Sequence, residues 1–400
     1  MSILTRLRFL DAGESHGPIL TAIIEGIPAG FAVDSNDIDA QLERRQRGLG
    51  SSRRMKIEKD RVKLTAGVAA GRTTGSPIAL EIPNLDFKNW RDKKIKPMVT
   101  PRPGHADLTG AIKYAHRDLR LSLERASARE TAMRVAVGAI CELILAEFAV
   151  EVGGYVTRIG SVDSTLTADP THDEYRRRFE AANESAVCCP DAQAQQEMGA
   201  AIDAARNGKD TLGGIFEIVA LGLPPGLGSY THWDRRLEAR LAMALTSIPA
   251  IKGVEIGPAF ENARGTGTSV NDPIIVGDSG QLVRGSNRAG GFEGGITTGE
   301  PAVLRAAMKP ISTTLQPGQS INLATFEHQE ATYERSDICA VPRAVPVGEA
   351  MVSIVLTDAL LEKLGGDSLQ EMRPRFERLA RGVREDFEMN NESWQFDYDE

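Results

Sequence analysis

The chain has 400 residues, of which 41% are hydrophobic and 26% are charged, and its formal net charge is −8. This length can bury a large core, and an acidic chain with 5% aromatic residues argues against a nucleic-acid-binding protein. The sequence has no run of 18 or more apolar residues, and its start lacks a basic segment followed by an apolar one. We therefore predict no membrane span and no signal peptide, and we expect a cytoplasmic location.

The first hundred residues predict short strands around one helix. Residues 19–33 are typical of a strand, a turn and a second strand. An aspartate and a serine at the start of 34–46 are suitable N-cap residues for a helix over that segment. Two further strands are predicted at 61–70 and 76–83, on either side of a glycine-flanked turn.

The longest predicted helix covers 118–149. Its first half is polar and carries Arg125 and Arg129, four residues apart and so on one face. Its second half carries one apolar stripe with members three or four residues apart. The stripe consists of Met133, Val137, Ile140, Ile144 and Phe148.

The rest of the chain continues this mixture. Helices are predicted at 172–183, 191–207, 233–247, 348–364 and 367–388. Strands are predicted at 150–159, 214–221, 253–257, 302–308, 321–326 and 351–356, although the last also fits a helix. The irregular spacing predicts an α+β fold, a β-α-β sandwich with mixed sheets around central helices, instead of a regular βαβ winding. We expect a single large domain over 1–388 and a disordered acidic tail over 389–400.

The four cysteines do not form a recognisable framework. They stand at Cys141, Cys188, Cys189 and Cys339, without a CxxC pair or a Cys/His spacing that would suit a metal. We therefore expect neither structural zinc nor a set of disulfides.

Basic residues concentrate in one segment, 44–56, which carries six of them and no acidic residue. Most are arginines, the side chain that best makes bidentate contacts to phosphate and carboxylate groups. The segment predicts a pocket for a small anion, and the alternative is a solvated basic face.

Two of the six histidines lie in glycine-flanked polar loops. His16 lies in Gly13-Glu14-Ser15-His16-Gly17, and His105 follows Gly104. A histidine in such a loop can transfer a proton near neutral pH or donate to an anion. The other four histidines have no comparable setting and are interpreted as structural or surface residues.

The loop at 13–17 has the spacing of a nucleophile elbow, G-x-S-x-G. An elbow requires a helix directly after the serine, whereas Pro18 and a predicted strand follow here. The sequence therefore disfavours a serine hydrolase.

Two later segments could contact a ligand. Residues 309–313 (Lys-Pro-Ile-Ser-Thr) offer a cation, two hydroxyls and backbone amides, which suit a flavin phosphate or ring edge but also an ordinary turn. Arg335 and Asp337, two residues apart in an extended segment, would face one side, and the alternative is a surface salt pair. Glycine-rich stretches at 265–268 and 290–295 indicate loops in which the backbone approaches another group closely.

Taken together, these segments resemble the chorismate synthase family over nearly the whole chain. The resemblance rests on seven motifs in the same order. They are GESHG at 13–17, RPGHADLTGAIKY at 102–114, ERASARETAMRVAVGAI at 124–140, AIKGVEIG at 250–257, NRAGGFEGG at 287–295, AAMKPIST at 306–313 and RSDICAVP at 335–342.

The resemblance implies the anti 1,4-elimination of phosphate and a proton from 5-enolpyruvylshikimate-3-phosphate, which gives chorismate in the shikimate pathway of aromatic amino acid biosynthesis. It also implies reduced FMN as a cofactor that is not consumed. A substrate with one phosphate and two carboxylates is consistent with an arginine-rich pocket.

The resemblance also implies residue roles. His16 matches the histidine that protonates reduced flavin, His105 the one that donates to the leaving phosphate, and Asp337 an aspartate that assists deprotonation. The substrate positions are Arg45, Arg54, Arg102, Arg129 and Arg335. The flavin positions are Arg125, Ala126, Ser127, Pro249, Ala250, Gly294, Lys309, Pro310, Ile311, Ser312, Thr313 and Arg335.

The chain departs from the family at Ser51. The family often has arginines at the positions of Arg45 and Ser51, and both are nicotinamide-nucleotide contacts there. A contact to NADPH through Ser51 is therefore in doubt, and we expect reduced flavin to come from an external flavin reductase. The resemblance further implies a homotetramer.

Two other classes of function are compatible with parts of the sequence. A non-catalytic anion-binding protein could keep the arginine pocket, but His16, His105 and Asp337 argue against it. An arginine-rich RNA-binding protein would show steep salt dependence. Phosphate release from the substrate and an RNA gel shift, respectively, would test these alternatives.

Overall fold

The computed structural model describes residues 4–51, 59–168, 170–278, 280–316, 318–331, 334, 336–387, 389–390 and 392–395. These residues form two larger antiparallel sheets, four two-stranded sheets, and helices between and around them. The strands are β1 (Arg8–Ala12), β2 (Ile19–Glu25), β3 (Lys63–Ala66), β4 (Val68–Ala69), β5 (Arg72–Thr73), β6 (Ile78–Pro83), β7 (Glu151–Ile159), β8 (Val162–Asp163), β9 (Gly214–Leu221), β10 (Ile251–Ile256), β11 (Ile274–Val276), β12 (Leu282–Arg284), β13 (Phe292–Glu293), β14 (Ile296–Thr297), β15 (Ala302–Met308), β16 (Gln319–Ile321) and β17 (His328–Glu330). The α-helices are α1 (Ser35–Gln46), α2 (Asp107–Tyr114), α3 (Arg120–Arg125), α4 (Thr131–Ala146), α5 (His172–Glu184), α6 (Ala192–Asn207), α7 (Leu237–Thr246), α8 (Ala259–Asn262), α9 (Gly267–Val270), α10 (Val341–Leu364) and α11 (Leu369–Glu377). Short 3-10 helices cover Leu85–Asn89, Ala128–Glu130, Trp233–Arg235 and Arg384–Asp386.

The first sheet has the strand order β1-β2-β6-β3, with antiparallel neighbours throughout. Side chains alternate between its two faces, as the pleat of a strand requires. One face is buried in the core and carries Leu20, Ala22, Ile24, Ile78, Leu80 and Ile82.

The second sheet has the order β10-β15-β9-β7-β8, also antiparallel. Its central strands are almost entirely apolar because both of their faces are covered. Helix α10 packs on β7 and β9, and α5 packs on β7.

Helices α4 and α10 pack against each other in the centre of the molecule, with α4 next to β2 and β6 and α10 next to β7 and β9. Their closest approach is at Gly138, where an added Cβ would lie 2.3 Å from the Cβ of Ala350. The predicted apolar stripe of α4 is confirmed, because all five of its members are buried.

Within the part of the chain that the structure describes, α10 is the one helix long and apolar enough to cross a membrane, and its most apolar window is buried completely. Two buried acids interrupt its apolar sequence. Glu349 pairs with Arg44 at 2.7 Å, and Asp358 pairs with Arg240 and accepts from the backbone amide of Leu7 at 2.7 Å. The helix is thus a core element fastened by internal ion pairs.

The predicted mixture of helices and sheets in one domain is confirmed, but the helix predicted over 118–149 is wrong as one element. The chain leaves the helix after Arg125, because Ser127 adopts an extended backbone (φ −72°, ψ 142°) and its side chain accepts from the amide of Arg129. The apolar stripe begins only at Met133, after this point, so its periodicity gives no information about the break.

Four other predicted elements differ from the structure. Residues 26–33 are not a strand, because Gly26 and Gly30 have φ values of 89° and 98°. Residues 351–356 lie inside α10, and 367–388 is helical over Leu369–Glu377 and in one 3-10 turn. Residues 321–326 are mostly the connection between β16 and β17.

Candidate active site

A cavity of about 520 Å³ is lined by several loops and by residues of α1, α3 and α10. Its lining comprises Ser15, His16, Arg45, Trp90, Arg102, Gly104, His105, Ala106, Leu123, Ala126, Ser127, Ala128, Arg129, Thr131, Ile248, Pro249, Ala250, Met308, Lys309, Pro310, Ile311, Ser312, Thr313, Glu334, Ser336, Asp337, Ala340, Arg343, Ala344 and Val347. The volume is within the range of small-molecule and cofactor pockets.

The loop between β1 and β2 places His16 in the cavity wall. The amide of Ser15 donates to the carbonyl oxygen of Glu124 at 3.0 Å. The side-chain amide of Asn84 donates to the carbonyls of Ser15 and Gly17, both at 2.9 Å. Ser15 is 2% exposed and β2 follows the loop, so the arrangement is not a nucleophile elbow.

His16 lies between a carboxylate and an indole. Its Nδ1 is 2.7 Å from Glu124 Oε1, and its backbone amide donates to Glu124 Oε2 at 2.7 Å. Its ring packs on Trp90, with the ring centroids 3.9 Å apart. Burial alone would raise the pKa of Glu124, but the hydrogen bonds from His16 outweigh burial and lower that pKa below its usual value.

His105 is held by a second carboxylate. Its Nδ1 is 2.6 Å from Asp107 Oδ1, and Asp107 is fully buried at the first residue of α2. Asp107 also accepts from the backbone amide, Nε and Nη2 of Arg102. Burial opposes ionisation here too, but the hydrogen bonds from Arg102 and His105 hold the pKa of Asp107 well below its usual range.

Arg45 and Arg129 form a buried cationic pair around one acid. Asp60 Oδ2 is 2.7 Å from Arg129 Nη1 and 3.7 Å from Arg45 Nη1. Arg45 also donates through Nε to Thr131 Oγ1 at 3.0 Å. The two guanidinium groups thus share one buried carboxylate on this wall of the cavity.

Asp337 meets a cation that the sequence did not single out. Arg343, in the first turn of α10, donates through Nη1 to Asp337 Oδ2 at 2.5 Å and through Nε to the carbonyl of Arg45 at 3.0 Å. This side chain links the α1 wall of the cavity to the loop before α10.

The opposite wall is largely backbone. Ala250 has a positive φ of 70°, and its carbonyl accepts from the amide of Lys309 at 3.0 Å. Lys309 Nζ donates to the carbonyl of Gly104 at 2.8 Å, so the 309–313 segment also contacts the His105 loop.

The structure brings most of the predicted site residues into this one cavity. They are His16, Arg45, Arg102, His105, Ala126, Ser127, Arg129, Pro249, Ala250, Lys309, Pro310, Ile311, Ser312, Thr313 and Asp337. Arg54 and Arg335 lie outside the described residues.

Three predicted residues that the structure describes are not in this lining. The half-exposed Arg125 pairs with Asp11 at 3.0 Å. Gly294 lies in the turn between β13 and β14. Ser51 lines a second cavity of about 770 Å³ with Arg44 and other residues, whereas Arg45 lines the first cavity.

Sequence reasoning missed Trp90, Glu124, Asp107 and Arg343. Asp107 could have been predicted from the sequence, because it stands two residues after His105 in a motif that was already recognised. Glu124 is 108 residues from His16, and no local pattern connects the two.

The cavity can hold a small polyanion and exchange protons with it. Arg45, Arg102, Arg129, Lys309 and Arg343 supply positive charge, and two histidines and Asp337 supply titratable groups. Among the described residues, no group of three or more His, Cys, Asp or Glu side chains could hold a metal ion. The fold and this site define an enzyme that acts on a small anionic metabolite.

Comparison with known proteins identifies the enzyme family. The chorismate synthase family profile matches residues 7–361. The chain is 50% identical over 395 residues to chorismate synthase of Trichlorobacter lovleyi, covering 95% of this chain and 100% of that protein. It is 49% identical over 394 residues to chorismate synthase of Aquifex aeolicus, covering 95% and 99%. A crystal structure of chorismate synthase superposes with a TM-score of 0.78 at 44% identity, covering 94% of this chain and 97% of that one.

The chain therefore belongs to the chorismate synthase family. Its activity is that of a carbon–oxygen lyase acting on a phosphate: it eliminates phosphate from 5-enolpyruvylshikimate-3-phosphate and forms chorismate for aromatic amino acid biosynthesis. The resemblance inferred from the seven motifs is confirmed.

Proposed function

We propose that this elimination takes place in the 520 Å³ cavity and requires reduced FMN bound beside the substrate. The observation that carries the proposal is the convergence of five cationic side chains with His16, His105 and Asp337 on one cavity. A substrate with a phosphate and two carboxylates needs such a concentration of positive charge, and proton transfer needs titratable groups next to it.

The donor set supports a flavin mononucleotide. Backbone at Ala126–Ser127, Pro249–Ala250 and 309–313 forms one wall, with the hydroxyls of Ser127, Ser312 and Thr313 and the cation of Lys309. Apolar side chains and backbone suit a flat ring, and the hydroxyls and lysine suit its phosphate. When bound, reduced FMN supplies a transferable electron and a basic ring nitrogen. By resemblance, Arg125, Gly294 and Arg335 complete the cofactor set.

The arginines bind the substrate. Arg45 and Arg129 face the cavity from α1 and the 3-10 turn before α4, and Asp60 behind them fixes both guanidinium groups. Arg102, held by Asp107 through its Nε and Nη2, presents a third. By resemblance, Arg54 and Arg335 add two more. Buried arginines with fixed geometry spend little conformational entropy on binding.

The proton-transfer groups act from two sides. His105 donates to the departing phosphate, and its Nδ1 contact to Asp107 stabilises the charged ring before donation. His16, on another part of the lining, would hold a proton for the bound cofactor. Asp337, paired with Arg343 at 2.5 Å, assists removal of the substrate proton.

Reduced flavin comes from outside this chain. Arg45 and Ser51 line different cavities, which does not favour a shared nicotinamide nucleotide between them. NADPH therefore acts through an external flavin reductase. Replacing Ser51 with Arg is expected to leave KM for the substrate unchanged; a raised KM would connect the second cavity to the active site.

We further propose the wider setting that the family implies. The enzyme acts in the cytoplasm as a homotetramer, with the two sheets and central helices forming a β-α-β sandwich. The catalytic domain covers 1–388, and the acidic segment 389–400 lies outside it.

Anaerobic turnover tests the proposal directly. Phosphate and chorismate are measured with the purified protein, substrate and photoreduced FMN, and in parallel with oxidised FMN plus NADPH. We expect product only in the first reaction. Product without any flavin, or none with reduced FMN, would overturn the flavin requirement, and product from the second reaction would show an internal reductase.

A further inference from the structure

We infer that Glu124 is a positioning residue for His16: it holds the ring with Nδ1–H directed at the carboxylate, so that the histidine keeps one orientation and one tautomer at the edge of the cavity. The inference rests on the proposed function of His16. Glu124 itself does not line the cavity, so it acts through the histidine.

The geometry requires a carboxylate. Glu124 accepts from two donors of one residue, with Oε1 2.7 Å from His16 Nδ1 and Oε2 2.7 Å from the His16 backbone amide. A glutamine has one carbonyl oxygen and one amino group in the same place. Either the backbone amide or Nδ1 would then face an NH₂ donor, and the ring would have to turn or place its proton on Nε2.

The surroundings make this contact rigid and ionised. The side chains of His16 and Glu124 are 13% and 14% exposed. The carbonyl of Glu124 also accepts from the amide of Ser15, so backbone and side chain together attach α3 to the histidine loop. A carboxylate held by short hydrogen bonds remains charged at neutral pH and fixes the tautomer of its partner.

Trp90 covers a face of the ring and provides a direct readout. Its centroid is 3.9 Å from that of His16, and its Nε1 donates to Asp86 at 3.2 Å. Besides this carboxylate, the indole is approached by two cations, Lys93 at 4.7 Å and Arg120 at 5.9 Å from the ring centroid, and neither cation can replace the carboxylate of Glu124.

The variants to compare are Glu124→Gln, Glu124→Asp and His16→Ala. Glu14→Gln is the matched control, because it removes one negative charge from an exposed side chain two residues from His16. With reduced FMN under anaerobic conditions, we expect Glu124→Gln to lower kcat by roughly 10–100-fold with little change in KM. Glu124→Asp, which keeps both acceptor oxygens, recovers part of the loss, and Glu14→Gln stays within about twofold of the parent enzyme.

Fluorescence reports the same contact without turnover. Trp233 and Trp394 are exposed, and replacing both with Phe leaves Trp90 as the single indole. An imidazole that touches an indole quenches its emission, so the emission intensity of Trp90 reports on the contact with the His16 ring. Because loss of the carboxylate lets the ring turn, this intensity is expected to change in Glu124→Gln and not in Glu14→Gln.

The outcomes separate the two proposals. If the parent enzyme does not turn over with reduced FMN, the proposed function fails. If His16→Ala loses turnover but Glu124→Gln keeps the kcat and the Trp90 emission of the parent enzyme, the positioning role of Glu124 is refuted while the proposed function stands. If Glu124→Gln does not fold, Glu124→Asp provides the test, because aspartate keeps the carboxylate. A kcat for Glu124→Asp as low as that of His16→Ala would then refute positioning by a carboxylate.

Discussion

Gly138→Ala probes the packing between α4 and α10. The added Cβ would lie 2.3 Å from the Cβ and 2.5 Å from the Cα of Ala350, and 3.0 Å from its carbonyl carbon. Carbon atoms at optimal packing distance are about 3.5–4.0 Å apart. The helices must therefore separate by roughly an ångström, because two of these three atoms belong to the backbone and cannot rotate away.

The expected cost follows from that displacement. Forcing a methyl group into a close-packed core costs about 1–3 kcal/mol and occasionally more. Alanine has a helix propensity about 1 kcal/mol better than glycine, which offsets part of the strain. Because α10 is buried along its length and packs on α4 at this point, we expect a net loss of about 2 kcal/mol.

Gly199→Ala in α6 is the matched control. There the new Cβ would meet only Leu49 Cδ2, at an ordinary 3.6 Å. The same substitution should therefore stabilise by up to about 1 kcal/mol. Urea unfolding followed by circular dichroism gives both values. A Gly138→Ala variant as stable as the parent would refute the reasoning. Adding Ala350→Gly should restore only part of the loss, because the backbone α-carbon at position 350 would still lie 2.5 Å from the new methyl group.

Three further outcomes can be measured. His105→Ala should lower kcat by roughly 10²–10⁴-fold and leave FMN binding, read from flavin fluorescence, nearly intact; loss of the flavin would instead make His105 structural. Arg129→Ala should raise KM for the substrate by removing charge-assisted hydrogen bonds worth about 1.5–3 kcal/mol each. Adding Asp60→Asn should restore thermal stability but should not restore KM. An unchanged KM in Arg129→Ala would show that Arg129 does not contact the substrate. Burial raises the pKa of Glu142 to about 8, and Glu349 adds to the effect, so the folded protein keeps a proton that the unfolded chain loses as pH rises from 4.5. The unfolding free energy of Glu142→Gln should therefore rise relative to that of the parent by about 1–3 kcal/mol as pH rises towards 8, a figure that allows for partial exposure. The same difference between variant and parent at pH 5 and at pH 8.5 would contradict this.

Much of the second sheet could be predicted because its strands are apolar runs of strand length. The strands predicted at 214–221 and 302–308 coincide with β9 and β15. The break after Arg125 could not be predicted in the same way. Its cause is partly tertiary, because the Ser127 hydroxyl that caps the next turn also donates to Ser15, 112 residues away.

The site residues could be predicted where a short sequence motif carries the reactive side chains. His16 and His105 stand in glycine-flanked loops, and the 309–313 segment shows its own polar groups. The contact between Glu124 and His16, by contrast, depends on tertiary packing, which local sequence does not show. Glu124 meets His16 only when α3 packs beside the β1–β2 loop, and Arg343 meets Asp337 only because α10 begins at Val341.

The interruption between α3 and α4 has a consequence for how the family can vary. Because the helix stops there, the carbonyl of Ala128 accepts from Arg45 Nη2 at 2.9 Å. Main-chain recognition of this kind does not depend on the side chain that occupies the position. The Arg45 contact thus constrains no side chain at position 128, where the limit is the size that the cavity admits, whereas the Ser127 side chain is constrained by its cap. A saturation library over the two positions should therefore recover several small residues at 128 and few residues at 127.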